Sequence, residues 1–330
     1  MAHYEVHYLD VKDADSIIIR YEDGSNKYIV LIDAGNVGDS DKIKRYIWSH
    51  WATHTIDLAV CTHPDSDHKG GFFDLLKDCE MTFKEFWINT PDDVISEESY
   101  NRVYPKGNWL SHCRECYSHP TDRNCQNLVT LAMNKCTQSV CPAYNGKTHP
   151  QIPITVVGPT VDFYRPLAWT ILENNKRAKD TDNSLYVDYG YFSAIEAKSS
   201  IDNENDDDSP TNAGSIMLLF EPQGYGRFFL MGDANRAAIS DALNNHPNLS
   251  GANIKVPHHG SKHNMTSTLI DVLAPNCAII SAKGTRKHPS RGIVHCLSKH
   301  CNVYSTHISG DLYHSPGASQ NPATPLKKRQ

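Results

Sequence analysis

No apolar stretch approaches the roughly 18 residues that a membrane-spanning helix needs, so the sequence predicts no contact with a membrane. The opening residues, Met1-Ala2-His3-Tyr4-Glu5-Val6-His7-Tyr8, have neither the charged start nor the apolar core of a signal peptide, and a cytoplasmic location is the expectation. Positive charge is also in short supply. The formal net charge is −6 and the pI about 6.3, which excludes a global pull toward nucleic acid. A polyanionic substrate would need a local basic patch or bound metal ions. No internal repeat is present. With 39% hydrophobic residues, the 330-residue chain can form one large domain or two small ones around a sizeable core.

Cysteine, by contrast, is plentiful. Five of the ten cluster at Cys113, Cys116, Cys125, Cys136 and Cys141. Without a secretory signal, reduced thiols or a structural metal are expected in place of a disulfide framework. Cys113-x-x-Cys116 has the spacing of half a zinc knuckle, with Cys125, Cys136, Cys141, His112 or His119 to complete a structural Zn²⁺ site, Cys136 and Cys141 foremost, and free or locally paired thiols the alternative.

The most informative stretch is Cys61-Thr62-His63-Pro64-Asp65-Ser66-Asp67-His68-Lys69-Gly70-Gly71, directly after an apolar run. Two imidazoles and two carboxylates within six residues must each be hydrogen-bonded or ligated if the loop is buried. A mixed nitrogen and oxygen cluster at a strand's end points to one or two divalent ions and to hydrolysis. Two further strand ends carry such groups: Asp233 after residues 227–231, and His258-His259 after residues 254–256. Each is flanked by glycine, which permits tight turns and close approach of the backbone.

Alternating and apolar patterns predict strands over residues 4–9, 16–21, 27–32, 56–60, 85–89, 152–158, 184–189, 215–221, 227–231, 254–256, 278–281 and 303–306. Helices are predicted over 41–51, capped by Asp39 or Ser40, and over 69–79, 124–135 and 237–244, with another inside 161–179. Residues 92–151 break the pattern and read as a Cys-rich insertion, a surface that could receive a partner protein. The acidic run Asp202-Asn203-Glu204-Asn205-Asp206-Asp207-Asp208 reads as a solvated, mobile loop, and residues 315–330 as a disordered tail. Strands early and strand–helix alternation later give an α/β chain of sheets packed face to face under helices.

These motifs, in this order, resemble the metallo-β-lactamase superfamily, and more narrowly the soluble hydrolase domain of ComEC-type competence proteins and their standalone relatives. The resemblance is carried by Tyr8-Leu9-Asp10-Val11 through Asp15-Ser16-Ile17, Leu31-Ile32-Asp33-Ala34-Gly35, Thr62 to Gly71, Leu230-Met231-Gly232-Asp233-Ala234, Lys255-Val256-Pro257-His258-His259-Gly260-Ser261-Lys262, Lys287-His288-Pro289 and Gly310-Asp311. It implies a four-layer αβ/βα sandwich over residues 1–314, with metals at one edge between two sheets. His63 and Asp65 would serve one ion and Asp67 and His68 another; Asp233 would bridge them, and His259 would be the last ligand, with His258 and His259 able to exchange roles. Asp65 stands where the wider superfamily has histidine, and no histidine occurs in the roughly twenty residues before Asp233, where Asn212 and Ser215 stand. The site is thereby richer in oxygen, which shifts its expected preference from Zn²⁺ toward Mn²⁺ or Mg²⁺.

The implied activity is metal-dependent hydrolysis of a phosphodiester by a metal-activated water, with DNA or RNA as the expected substrate and Asp67, His258, His288 and Lys262 as catalytic or phosphate-contacting residues. Lys255, Lys262, Lys283, Arg286, Lys287 and Arg291 gather in the same part of the sequence and could supply the local patch. Hydrolysis of a small phosphodiester or ester, of choline-phosphate or nucleotide type, is the alternative enzyme reading. A non-catalytic binding module on the same fold is the alternative outside enzymology.

Overall fold

The computed structural model describes residues 3–174, 194–224, 226–285 and 287–316. The strand expected over 184–189, Arg286 of the basic group, and the tail beyond residue 316 lie outside these. In chain order the first strands are β1 (His3–Tyr8), β2 (Ile17–Asp23), β3 (Asn26–Ile32), β4 (Thr55–Cys61), β5 (Thr82–Ile88) and β6 (Cys136–Cys141). They are followed by β7 (Ile154–Gly158), β8 (Met217–Phe220), β9 (Phe228–Leu230), β10 (Asn253–Lys255), β11 (Cys277–Ile280), β12 (Asn302–Ser305) and β13 (Leu312–His314). They form a seven-stranded sheet in the order β13-β1-β2-β3-β4-β5-β6 and a six-stranded sheet in the order β12-β11-β10-β9-β8-β7.

Side-chain alternation explains why both sheets are apolar on both faces. In β2, Ile17 and Ile19 join the core between the sheets, while Ile18 faces the helices outside. In β8, Leu218 and Phe220 enter the inter-sheet core, while Met217 and Leu219 face outward. Helices Ser40–Trp51, Phe72–Lys77 and Leu128–Lys135 cover the outer face of the larger sheet through Ile43, Ile47, Phe73, Leu76, Leu128 and Val129. Helices Arg236–Asn245, Ser267–Leu273 and Arg291–Leu297 cover the other through Ala238, Ile239, Ile270, Ile293 and Leu297. The result is four layers, helix–sheet–sheet–helix, in the α/β class expected from the sequence.

Two local features depart from expectation. The helix predicted over 69–79 is two short helices, Ser66–Lys69 and Phe72–Lys77, broken at Gly70-Gly71. The second half of the Cys-rich segment is built into the fold. β6 pairs in parallel with β5, with Phe86 opposite Val140, and the preceding helix Leu128–Lys135 packs in the outer core.

Candidate metal centre

β3, β4 and β5 run parallel, as do β9, β10, β11 and β12. The loops leaving the ends of β4, β9 and β10 carry His63 to His68, Asp233, and His258-His259, and these meet at one edge of the sandwich. Asp33 follows β3 with φ of 56°, and His258 and His259 have φ of 45° and 53°. Three non-glycine residues in left-handed conformation at one place mark a locally strained site.

Asp67, His68, Asp233 and His259 each offer a ligand atom, all within 4.8 Å of one another. Asp233 lies at the centre. Its Oδ1 is 3.4 Å from His68 Nε2 and 3.6 Å from Lys255 Nζ, while its Oδ2 is 3.9 Å from His63 Nε2 and 4.0 Å from Nε2 of both His258 and His259. Asp67 Oδ2 is 3.3 Å from His259 Nε2, and Asp65 Oδ2 is 3.8 Å from His63 Nε2. His63 Nε2, His68 Nε2 and Asp233 Oδ1 are buried without a hydrogen-bond partner. Orphaned buried polar atoms on a common focus are what a bound cation satisfies, and a donor set of imidazole and carboxylate suits a divalent ion.

The far side of each imidazole is anchored. His68 Nδ1 donates to Asp33 Oδ2 at 2.7 Å, and His259 Nδ1 donates to the Ser281 carbonyl at 2.8 Å. His63 Nδ1 is 3.0 Å from Thr62 Oγ1. Such outer contacts fix the tautomer and leave Nε2 facing the cluster. Asp33 also accepts from the Thr62 backbone N–H at 2.8 Å and from Thr62 Oγ1 at 2.7 Å.

Electrostatics follow this arrangement. Burial pushes His63 down, with the neighbouring His68 adding to the effect. His68 is raised well above the usual imidazole range: burial opposes its charge, but Asp233 and Asp33 outweigh it. Against the same cost of burial, Asp233 and Asp67 lift His259 to about 9, and Asp233 and Asp207 raise His258. Asp233 is held far below the carboxylate range by His68, His258 and His259 despite its own burial.

Of the exchangeable pair, His259 belongs to the four-residue group and is 3% exposed. His258 sits at the rim. Its Nδ1 is 2.9 Å from Asp207 Oδ2 and 3.1 Å from Asn264 Oδ1. The ring of His288 lies 5.3 Å from that of His258 and 6.1 Å from that of His259. Burial, then these two neighbours, push His288 down to about 2, so it stays neutral. Asp65 Oδ1 accepts from Thr211 Oγ1 at 3.1 Å. Lys262 turns elsewhere: its Nζ pairs with Glu204 Oε1 at 2.6 Å, on a half-exposed side chain. Asn212 donates to Asp207 at 2.7 Å, and Ser215 Oγ accepts from the Asp233 N–H at 3.2 Å.

Two expectations are corrected. The acidic run is built into the structure. Asp202 accepts from the N–H and hydroxyl of Ser267, and Asp206 from the N–H groups that open helix Arg236–Asn245. Asp207 is held by His258, Asn212 and Asn264. Nor do Cys113, Cys116, Cys136 and Cys141 form a zinc site. Cys136 and Cys141 begin and end β6, about 16 Å apart at ~3.3 Å per residue, far beyond a shared tetrahedral ion. None of the ten cysteines is in a disulfide, and among the described residues the only clusters able to hold a metal are the one above and Asp15, Asp33 and His68.

Sequence reasoning assigned no role to Asp15, Asp33 or Asp207. Asp33 and Asp15 lie in motifs that carry the resemblance, but a lone aspartate has no spacing that announces a ligand contact.

Two helix-covered sheets with a buried His/Asp cluster at one edge define an α/β sandwich with a candidate metal centre. No family model matches the chain. A stretch of 99 residues, 29% of this chain, is 32% identical to ComE operon protein 3 of Bacillus subtilis (strain 168), and covers 13% of that protein's length. Among solved structures, the chain is similar to MEM-A1, a subclass B3 metallo-β-lactamase isolated from a soil metagenome library, at 10% identity and a TM-score of 0.34 over 89% of this chain and 88% of that one. It is similar to the Rm3 metallo-β-lactamase at 12% identity and a TM-score of 0.35 over 80% and 77%. Among the described residues, no helix is long and apolar enough to cross a membrane.

Proposed function

We propose that this chain is a metal-dependent hydrolase of phosphodiesters, with DNA or RNA as its substrate. The observation that carries the reading is the convergence of Asp67, His68, Asp233 and His259 on one buried focus, with orphaned nitrogen and oxygen atoms aimed into it. A divalent ion held by this set supplies positive charge for phosphoryl oxygens and acidifies water. Its two imidazoles and two carboxylates are donors that Zn²⁺ or Mn²⁺ accepts, and either ion serves phosphate chemistry.

The remaining roles belong to the chain's own groups. Asp33 and the Ser281 carbonyl hold His68 and His259 in register. His258, whose pKa Asp233 and Asp207 raise against the cost of burial and whose side chain is 26% exposed, is placed at the rim to pass a proton to a departing oxygen. Hydrolysis of bis-p-nitrophenyl phosphate and of single-stranded DNA, with added Mn²⁺ or Zn²⁺, tests the reading. Metal-stimulated turnover that Asp233→Ala abolishes is expected. Absence of turnover with both substrates, or its survival in Asp233→Ala, sinks it.

A further inference from the structure

Lys255 ends β10 and is wholly buried, at 0% exposure. Its ammonium is ion-paired with Asp15 Oδ2, donates to the Gly232 carbonyl at 3.0 Å, and stands 3.6 Å from Asp233 Oδ1. Taking an ammonium out of water is costly, and packing alone would be served by a methionine or leucine. The surroundings supply the reason for a charge. Asp15, Asp33 and Asp233 are each 1–2% exposed. Asp15, Asp33 and His68 by themselves offer three ligand atoms within 4.8 Å, and they adjoin the main cluster through His68. Carboxylates gathered this closely away from water repel one another unless a cation lies among them.

We infer that Lys255 is a fixed cation built into the chain: its ammonium takes the place that a further divalent ion would occupy beside Asp15, Asp33 and His68, and its hold on Asp233 Oδ1 turns Oδ2 toward His63, His258 and His259. Lys255 is thus a positioning residue that also limits how many ions the edge accepts. The inference rests on the reading that Asp67, His68, Asp233 and His259 hold a metal.

Lys255→Ala removes the ammonium and leaves room beside Asp15. Elemental analysis after equilibrium dialysis against Mn²⁺ gives the ion count, and thermal unfolding with chelator or with Mn²⁺ gives a second readout. Lys255→Ala should take up one more Mn²⁺ per chain than wild type, and Mn²⁺ should raise its unfolding midpoint by more than it raises that of wild type. Asp15→Asn/Lys255→Ala, which removes both charges of the pair, should fold in chelator and return to the wild-type count. An unchanged count in Lys255→Ala, its failure to fold even in Mn²⁺, or an extra ion in the double variant overturns the inference and leaves the metal reading intact. A wild type that binds no Mn²⁺ overturns the metal reading and, with it, the inference that rests on it.

Discussion

Asp33 Oδ2 accepts a hydrogen bond from His68 Nδ1 at 2.7 Å, and both side chains are buried. His68 therefore presents Nε2 to the cluster in one orientation. In Asp33→Asn an amide N–H₂ replaces one acceptor in a place where His68 and Thr62 all donate. Affinity for Mn²⁺ should fall by about 10–100-fold, measured by competition with a chromophoric chelator. An unchanged affinity would show that Asp33 does not orient a ligand.

Asp207 and His258 make a second such pair, at the rim. His258→Ala should lower metal-stimulated hydrolysis of bis-p-nitrophenyl phosphate by about 10²–10⁴ while sparing most of the Mn²⁺ affinity. Asp207→Asn should cause a smaller loss in the same direction. Equal losses of affinity and turnover in His258→Ala would make His258 a metal ligand instead of a proton donor.

The histidines also dictate how the metal-stripped chain responds to pH. His259, raised to about 9, and His68 and His258, also raised, bind protons more tightly when folded. Their contribution is full below the ordinary 6.5 and is lost as pH climbs through their folded values. His288, pushed down to about 2, and His63, also pushed down by burial, act in the opposite sense: below 6.5 the unfolded chain takes protons that the folded chain refuses. Thermal unfolding in chelator should therefore peak near pH 6–7 and fall on both sides, with any single group contributing a slope of at most about 1.4 kcal/mol per pH unit. His288→Asn should flatten the acid side between about pH 6.5 and 5, and a wild-type-like acid limb in that variant counts against a buried neutral His288.

Why some of this was legible and some not comes down to sequence distance and exposure. His63 to His68 pack four ligand-type residues into one loop, so their chemistry is readable without a fold. β2 and β3 are apolar enough to read on both faces. β6 escaped because Cys-Thr-Gln-Ser-Val-Cys is the sequence of a half-exposed edge strand, and β13 because it is three residues long. The acidic run was misread because its partners, Ser267, Arg236 and His258, lie 65, 30 and 51 positions away. Asp15 and Lys255 lie 240 positions apart in the chain, and neither alone announces a buried ion pair.

If Cys113 and Cys116 are packed thiols, Cys113→Ser/Cys116→Ser should leave the metal content of the folded chain unchanged by elemental analysis, whatever it does to stability. Loss of one zinc per chain would restore the structural-zinc reading.

Gly71 shows how the metal loop and the Asp33 strand end are locked together. Its φ of −69° is open to any residue, so its requirement is steric. A Cβ there would collide with the Ala34 carbonyl oxygen, and one on Gly70 with the backbone of Asn36 and Val37. Ala34, next to Asp33, also donates its N–H to the His68 carbonyl at 2.8 Å. A methyl group on Gly71 thus pushes on the one backbone segment that ties Asp33 to His68, where only main-chain movement can relieve the clash. Gly71→Ala should cost about 1–3 kcal/mol in urea unfolding. It should also weaken Mn²⁺ binding, although residue 71 carries no ligand atom, because displacing Ala34 moves Asp33 away from His68 Nδ1. Wild-type stability together with wild-type affinity in Gly71→Ala would mean that the two loops are not coupled.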